Sequence, residues 1–398
     1  MKKLVVLVAG LLSVALFAQA EETQNTKENT FSMKVQIRPR AEYRNGVLFP
    51  RPKDAESTGF INNRARFSLG YERDRLSIGL SAQHVGVWGQ DPQIDKNGRF
   101  ILNEAWAKLD FGSGFFAKLG RQSLVYDDER IMGALDWNVA GRYHDALKLG
   151  YENTNNQLHL ILAFNQNDEK TIGGTYYAPG AQPYKTMQTL WYKHLFDKSF
   201  NASFLFMNLG MEGGDAEKQN SDTKYLQTLG TNLIYTPSHW MVGGMFYYQF
   251  GKTKSGRDVS AFLWAVNAAY QIDPQWKIGV GSDYLSGSDG ADGKYKAFDP
   301  LYGTHHKFYG AMDYFYASSF VNGLNPGLWD NQVNVAYKPS SKVNLSLAYH
   351  YFSITGDVYE GNDKLSKGLG SEFDFQVDWV IMKDVKLSAG YYTLLGTN

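Results

Sequence analysis

The chain has no cysteine in its 398 residues. That excludes a disulfide framework, a thiolate metal centre and a lipid-modified cysteine behind a leader. Proline is scarce at 11 residues, and Pro237, Pro274 and Pro339 stand in what read as short turns, where a missing N–H costs no ladder bond. Beyond Phe17 no apolar run approaches the about 20 residues that a spanning helix needs. Net charge is absent too. Lys+Arg 40 balance Asp+Glu 40, and without Lys2 and Lys3 the basic count is 38 against 40, so whole-chain charge implies no polyanion partner. A G-x-S-x-G elbow, a phosphate-cradling glycine loop and a nucleic-acid module are also missing. The serines near His144-Asp145 and His305-His306 therefore give no hydrolase triad, and no catalysis or cofactor is expected.

What the chain has is aromatic and glycine-rich: Tyr 26, Phe 24, Trp 9 and Gly 40 describe β-formers separated by tight turns. Its first residues look like a secretory signal peptide, with Lys2 and Lys3 before the apolar stretch Leu4 to Phe17 and a small-residue site at Ala18-Gln19-Ala20. This divides the chain into a signal peptide at 1–20, a polar lead-in at 21–30 and one β domain at 31–398.

Within that domain, Met33, Val35, Ile37, Ala41 and Tyr43 alternate with Lys34, Arg38, Arg40, Glu42 and Arg44. Ala65, Phe67, Leu69 and Tyr71 alternate likewise with Asn62, Arg64, Arg66 and Ser68. Residues two apart share a strand face, so each strand has one apolar and one polar side. A soluble sheet would turn the apolar side into a core. A membrane barrel turns it to lipid and the arginines to a wet lumen. Connection lengths favour the barrel. Strands are expected at 31–44, 60–71, 76–88, 100–111, 115–126, 145–152, 156–166, 186–196, 199–210, 223–236, 239–252, 258–272, 276–286, 328–338, 342–355, 371–382 and 385–395. Short turns between them alternate with long loops at 45–59, 89–99, 127–144, 167–185, 211–222, 287–327 and 356–370. Strict alternation follows when one rim is periplasmic and the other extracellular. The count is about 17 strands, whereas bacterial barrels close with an even number. The expectation is an all-β, up-and-down transmembrane barrel of about 18 strands with its last strand missing, unless Thr304 to Tyr316 is a strand.

Several stretches then fall into one pattern. Gly120 to Leu147, GRQSLVYDDERIMGALDWNVAGRYHDAL, resembles the alginate export porin family. So do RPRAEYR from Arg38, INNRARFSL from Ile61 and LNEAWAKL from Leu102. SDYLSG from Ser282 and FDPLYGTHHKFYGAMDYF from Phe298 resemble its Bacteroidetes-type branch. The resemblance implies an eighteen-stranded outer-membrane barrel in a Gram-negative bacterium. It also implies an arginine-lined constriction that passes anionic solutes or uronate-type polysaccharide, with periplasmic export or uptake partners. Carried over residue by residue, the pore-lining positions are Arg38, Arg40, Arg64, Arg66, Arg121, Arg130 and Arg142, with Glu104, Asp127, Asp128 and Asp145 as acidic partners. Guanidinium groups stay charged and grip carboxylates bidentately. The same residues also fit a solvated, carboxylate-paired wall. Arg121 shares its parity with Ala117 and Leu119, which points it to lipid unless a bulge or the membrane rim intervenes. A surface receptor or adhesin barrel plugged by the loop at 287–327 is the alternative function. Asp289 and Asp292 could ligate calcium, but their loop is too short for an EF-hand, and a glycine-rich turn fits better.

Overall fold

Alternating faces and short turns give a single antiparallel sheet in which each long strand pairs with the next in sequence. The computed structural model describes residues 9–11, 29–46, 51–91, 100–166, 168–169, 184–213, 222–288, 293–315 and 325–397. The long strands are β1 Asn29–Arg44, β2 Thr58–Arg73, β3 Leu76–Val87, β4 Phe100–Gly112, β5 Phe115–Gln122, β6 His144–Glu152, β7 Asn156–Phe164, β8 Thr186–Leu195 and β9 Phe200–Glu212. They continue as β10 Thr223–Tyr235, β11 Trp240–Lys252, β12 Asp258–Gln271, β13 Trp276–Leu285, β14 Leu328–Ser340, β15 Val343–Ser353, β16 Gly368–Met382 and β17 Val385–Gly396. All seventeen expected strands are present. Thr304 to Phe315 is not an eighteenth, because it holds only a 3-10 turn at His305–Lys307. Beside β17, Ala9–Leu11 pairs antiparallel with Ser388 to Gly390 and also contacts β1. The lead-in at 21–30 falls outside the described residues except for Asn29 and Thr30, which already belong to β1.

Short turns are set by backbone geometry. Asp74, Ser113, Ser238 and Asp384 all adopt left-handed φ values between 45° and 63°, which allow a hairpin to reverse within two or three residues. Aromatic pairs gather at this rim: Trp240 on Tyr270 with ring centroids 4.7 Å apart, Trp276 on Tyr337 at 4.2 Å, and Phe196 on Phe200 at 4.9 Å. Such rings form the girdle of a membrane interface. Near the long-loop rim an amide ladder crosses the outer face, Gln227 Nε2 donating to Asn208 Oδ1 and Asn208 Nδ2 to Gln188 Oε1, both at 2.7 Å. The face between carries exposed Leu190, Phe204, Phe246, Val266, Val280 and Val333.

The interior departs from the simple apolar-out, polar-in pattern. On β8, β9 and β12 the inward residues Met187, Leu205, Met207, Leu209, Ala261 and Leu263 are apolar and fully buried. They are covered by the loop at 123–143 and by residues 293–315 of a second loop, which fold into the barrel. The loops pair with each other through a parallel bridge between Met132 and Tyr302, in which Tyr302 N donates to Ile131 O at 3.0 Å and Gly133 N to Tyr302 O at 2.8 Å. Ile131, Met132, Leu301 and Tyr302 complete one hydrophobic cluster with the wall. Each fully buried side chain of this size contributes about 1.5–3 kcal/mol, enough to fix both loops inside.

Candidate functional site

An open part of the lumen lies on the other side, against β1 and β14 to β17. Strand parity turns Arg38, Arg40, Arg64 and Arg66 inward while Phe67 faces out, 38% exposed. Arg38 and Arg64 are direct cross-strand partners. Like charges so placed repel. Asp136, from the first inward loop, offsets the repulsion: its carboxylate lies 2.8 Å from Arg64 Nη1, 3.5 Å from Arg66 Nη1 and 3.6 Å from Arg38 Nη1. Backbone carbonyls add to the clamp. Arg38 donates to the carbonyls of Asp136 at 2.6 Å and Asn138 at 3.0 Å, and Arg40 donates to that of Trp137 at 2.8 Å. The Trp137 ring is then sandwiched, with the Arg40 guanidinium 4.1 Å from its centroid and the His306 ring stacked at 3.6 Å.

Of these groups, Arg38, Arg40, Trp137 and His306 border a cavity of about 520 Å³. Arg38, Arg40, Trp137 and Lys307 form one side, and Gln332, Asn334, Ala348, His350, Asp374 and Gln376 the other. Small residues on β15 and β17, Ser346, Ala348 and Ser388, leave the space open. The far wall carries one carboxylate, Asp374, among its amides, with further carboxylates buried behind it. His350 Nδ1 lies 2.9 Å from Asp330 Oδ2, and Glu372 and Asp374 accept from the backbone N–H groups of Met312 and Ala311 at 2.8 and 3.0 Å, pinning the second inward loop. A basic wall thus faces one of amides and small side chains with a single carboxylate, Asp374, across the cavity.

The remaining sequence-derived positions sort differently. Arg64 is fully buried under Asp136, so it supports the wall without reaching the cavity. Arg130 does not line a pore. It is buried between Asp128 and Asp283, at 2.8 and 2.9 Å, with its guanidinium 3.9 Å from the Phe308 ring centroid. Burial opposes its charge, but Asp283 and Asp128 outweigh that and hold it above the ordinary arginine range. Asp127 is likewise a tether, accepting from Ser203 Oγ at 2.6 Å and Trp191 Nε1 at 3.2 Å. Burial pushes its carboxyl up, against those hydrogen bonds. Arg142 joins the two loops by donating to Gly303 O at 2.9 Å, and burial pushes it down to about 10. Glu104 accepts from Ser123 N at 3.2 Å. Arg121 and Asp145 leave the lumen altogether. They share the outer face with Leu119 and Leu149 at the long-loop rim and grip one another bidentately, both contacts at 2.9 Å. Arg121 keeps the outward parity of Leu119 with no bulge to reverse it, and its place at the rim is the exception that the alternation allows. His144 faces in, bonded to Tyr184 at 3.0 Å, so β6 separates it from Asp145. Asp289 and Asp292 lie outside the described residues.

Asp136, Trp137, His306 and Lys307 are the site residues that charge alternation misses, because they reside on loops without strand parity. The only signal for the first two is their place in the Gly120 to Leu147 stretch.

That stretch is part of a match to the alginate export family spanning residues 53–394. The chain belongs to the alginate export family. No curated protein sequence matches it. Among solved structures it is similar to OpdL of Pseudomonas aeruginosa, with TM-score 0.58 and 12% identity over 92% of this chain and 99% of that one. It is also similar to OccAB4 of Acinetobacter baumannii, with TM-score 0.57 and 11% identity over 94% and 100%. A BenF-like porin from Pseudomonas fluorescens Pf-5 gives 0.56 and 12% over 93% and 99%. At these identities the likeness is one of fold. The alginate export match and the porin fold make this chain an outer-membrane channel protein of a Gram-negative bacterium. The matched residues begin after β1, so this member's Arg38 and Arg40 stand ahead of the span that identifies it.

Proposed function

We propose that this barrel is a passive channel for anionic solutes, uronate-containing poly- or oligosaccharide among them, and that its conduit is the off-centre cavity beside β1. The observation that carries this reading is the placement of Arg38 and Arg40 on the cavity wall, where their side chains are 17% and 8% exposed. Guanidinium groups already held by loop carbonyls are fixed in place, so a passing carboxylate meets preorganised donors. The Asp374 carboxylate on the wall opposite limits how tightly an anion is held, and conduction needs binding that is favourable but escapable. Passive flow takes its direction from gradients and periplasmic partners, and the reading calls on no catalytic group.

The test is the reversal potential of the full-length protein in a planar bilayer under a KCl gradient. Wild type is expected on the anion side, and Arg38→Ala with Arg40→Ala moves it toward zero. A cation-side potential in wild type overturns the reading. A second reading, a plugged surface receptor, draws support from the apolar filling between β8 and β12. It predicts no current at all in the same bilayers.

A further inference from the structure

A second basic group lies on β4, β5 and β6, apart from the arginine wall. Lys108 is the cross-strand partner of Lys118, and Lys118 is in turn the partner of Lys148. All three share the inward face with buried Phe116. Neighbouring strands are about 4.8 Å apart, so the three lysine backbones stand in a row roughly 10 Å long. Each lies three or four residues, roughly 10–13 Å, inside the short-turn end of its strand. Like charges placed directly opposite destabilise a sheet. Among the described residues none of the three has a carboxylate within salt-bridge distance. The carboxylates nearest along these strands are engaged elsewhere: Asp110 with Gly112 N at 2.7 Å, Glu152 with His159 at 2.8 Å, and Glu104 with Ser123 N at 3.2 Å.

The row has a foundation. Lys118 Nζ lies 3.7 Å from the Trp106 ring centroid, Lys108 Nζ 4.2 Å from that of Phe116 and Lys148 Nζ 5.5 Å from the same ring. Each ring lies flat over a glycine on the adjoining strand. A Cβ at Gly79 would come within 2.4 Å of Trp106, and one at Gly150 within 2.2 Å of Phe116. Both glycines are the cross-strand partners of the rings they receive. The aromatic rings therefore hold the three ammonium heads by cation–π contact on the inward face of the wall.

We propose that Lys108, Lys118 and Lys148 form a binding site for multiply charged anions of the phosphate and pyrophosphate class at the short-turn mouth of the barrel. Ammonium groups are point charges without the planar fork of arginine, so a row of them responds to the number of charges on a ligand more than to its shape. The site selects multivalent over monovalent anions. It stands on the lysine row alone and survives if the arginine wall proves not to set selectivity.

The probe is inorganic pyrophosphate, added separately to each side of a planar bilayer containing oriented full-length protein, with acetate as the monovalent control. Pyrophosphate is expected to block the current from the short-turn side at concentrations at least about tenfold below acetate, equivalent to about 1.4 kcal/mol. Lys108→Gln, Lys118→Gln and Lys148→Gln together are expected to abolish that preference while the reversal potential in KCl stays on the anion side. Pyrophosphate should also raise the thermal stability of wild type and leave that of the triple variant unchanged, a readout independent of conduction. Equal potency of pyrophosphate and acetate in wild type overturns the proposal. So does a block or stabilisation that persists in the triple variant.

Discussion

Arg130 gives the clearest case at the scale of a single residue, because it is buried with two carboxylates and its removal strands one of them. Asp283 is 2% exposed and is held 2.9 Å from Arg130 Nη2. Replacing one partner of a buried pair costs about 3–5 kcal/mol, whereas replacing both by apolar groups of similar size is close to neutral. Arg130→Met should therefore lower the urea midpoint of the refolded barrel strongly, and Arg130→Met with Asp283→Leu should recover most of the loss. Equal destabilisation by the single and double changes would show that the pair is not what anchors the loop. Asp136 behaves differently. It is 57% exposed and shared by three arginines, so its charge matters more for the field than for stability. Asp136→Asn should increase anion preference in bilayer reversal measurements, the opposite direction from the loss of Arg38 and Arg40. The arginines were legible in the sequence because strand alternation fixes where they face. Asp136 was not, since its partners Arg64 and Arg38 lie 72 and 98 residues away along the chain.

At the scale of an element, the inward loop carrying His305 should respond to acid. His305 is 1% exposed and its Nε2 lies 3.2 Å from Pro300 O, so the neutral ring donates to that carbonyl. Burial pushes it down to about 3, with the Arg142 charge adding to the effect. A histidine freed from this packing titrates at about 6.5. Protonation thus favours the released loop: the His305 contribution is complete above about pH 6.5 and is lost progressively as pH falls toward 3. Comparing wild type with His305→Gln cancels most of the carboxylate titration, because Gln keeps a donor for Pro300 and has no charge to gain. The gap in thermal stability between the two proteins should shift in favour of the variant over that window, and a pH-independent gap would refute the assignment. Strands and loops differ in how much of them can be read beforehand. All seventeen strands follow from period-two alternation and turn chemistry, which are local. The inward folding of 123–143 and 293–315 does not. It depends on contacts such as Thr304 Oγ1 to Glu129 Oε2, at 2.9 Å across 175 residues, and no local pattern encodes that.

For the whole molecule, the same barrel has two interiors. Along β8 to β12 the wall and the two loops make a packed core like that of a soluble protein. Along β14 to β17 and β1 small and polar residues leave a cavity. Apolar residues stand on both faces of β8 and β9, and the lipid-facing explanation accounts for only one of the two sets. The other set, Met187, Leu205, Met207 and Leu209, needed a buried partner inside the lumen. A paired substitution separates the two regions. Ala348 borders the cavity, so Ala348→Trp should lower single-channel conductance with little change in unfolding. Leu263 is fully buried in the filled half, so Leu263→Ala should cost about 2–5 kcal/mol by leaving a void and keep conductance near wild type. A wide central pore would reverse the pattern, because trimming Leu263 would then enlarge the conducting section and Ala348→Trp would obstruct only a small part of it. Conductance and urea unfolding measured on both variants in the same lipid therefore decide whether ions cross the barrel through its axis or along one side.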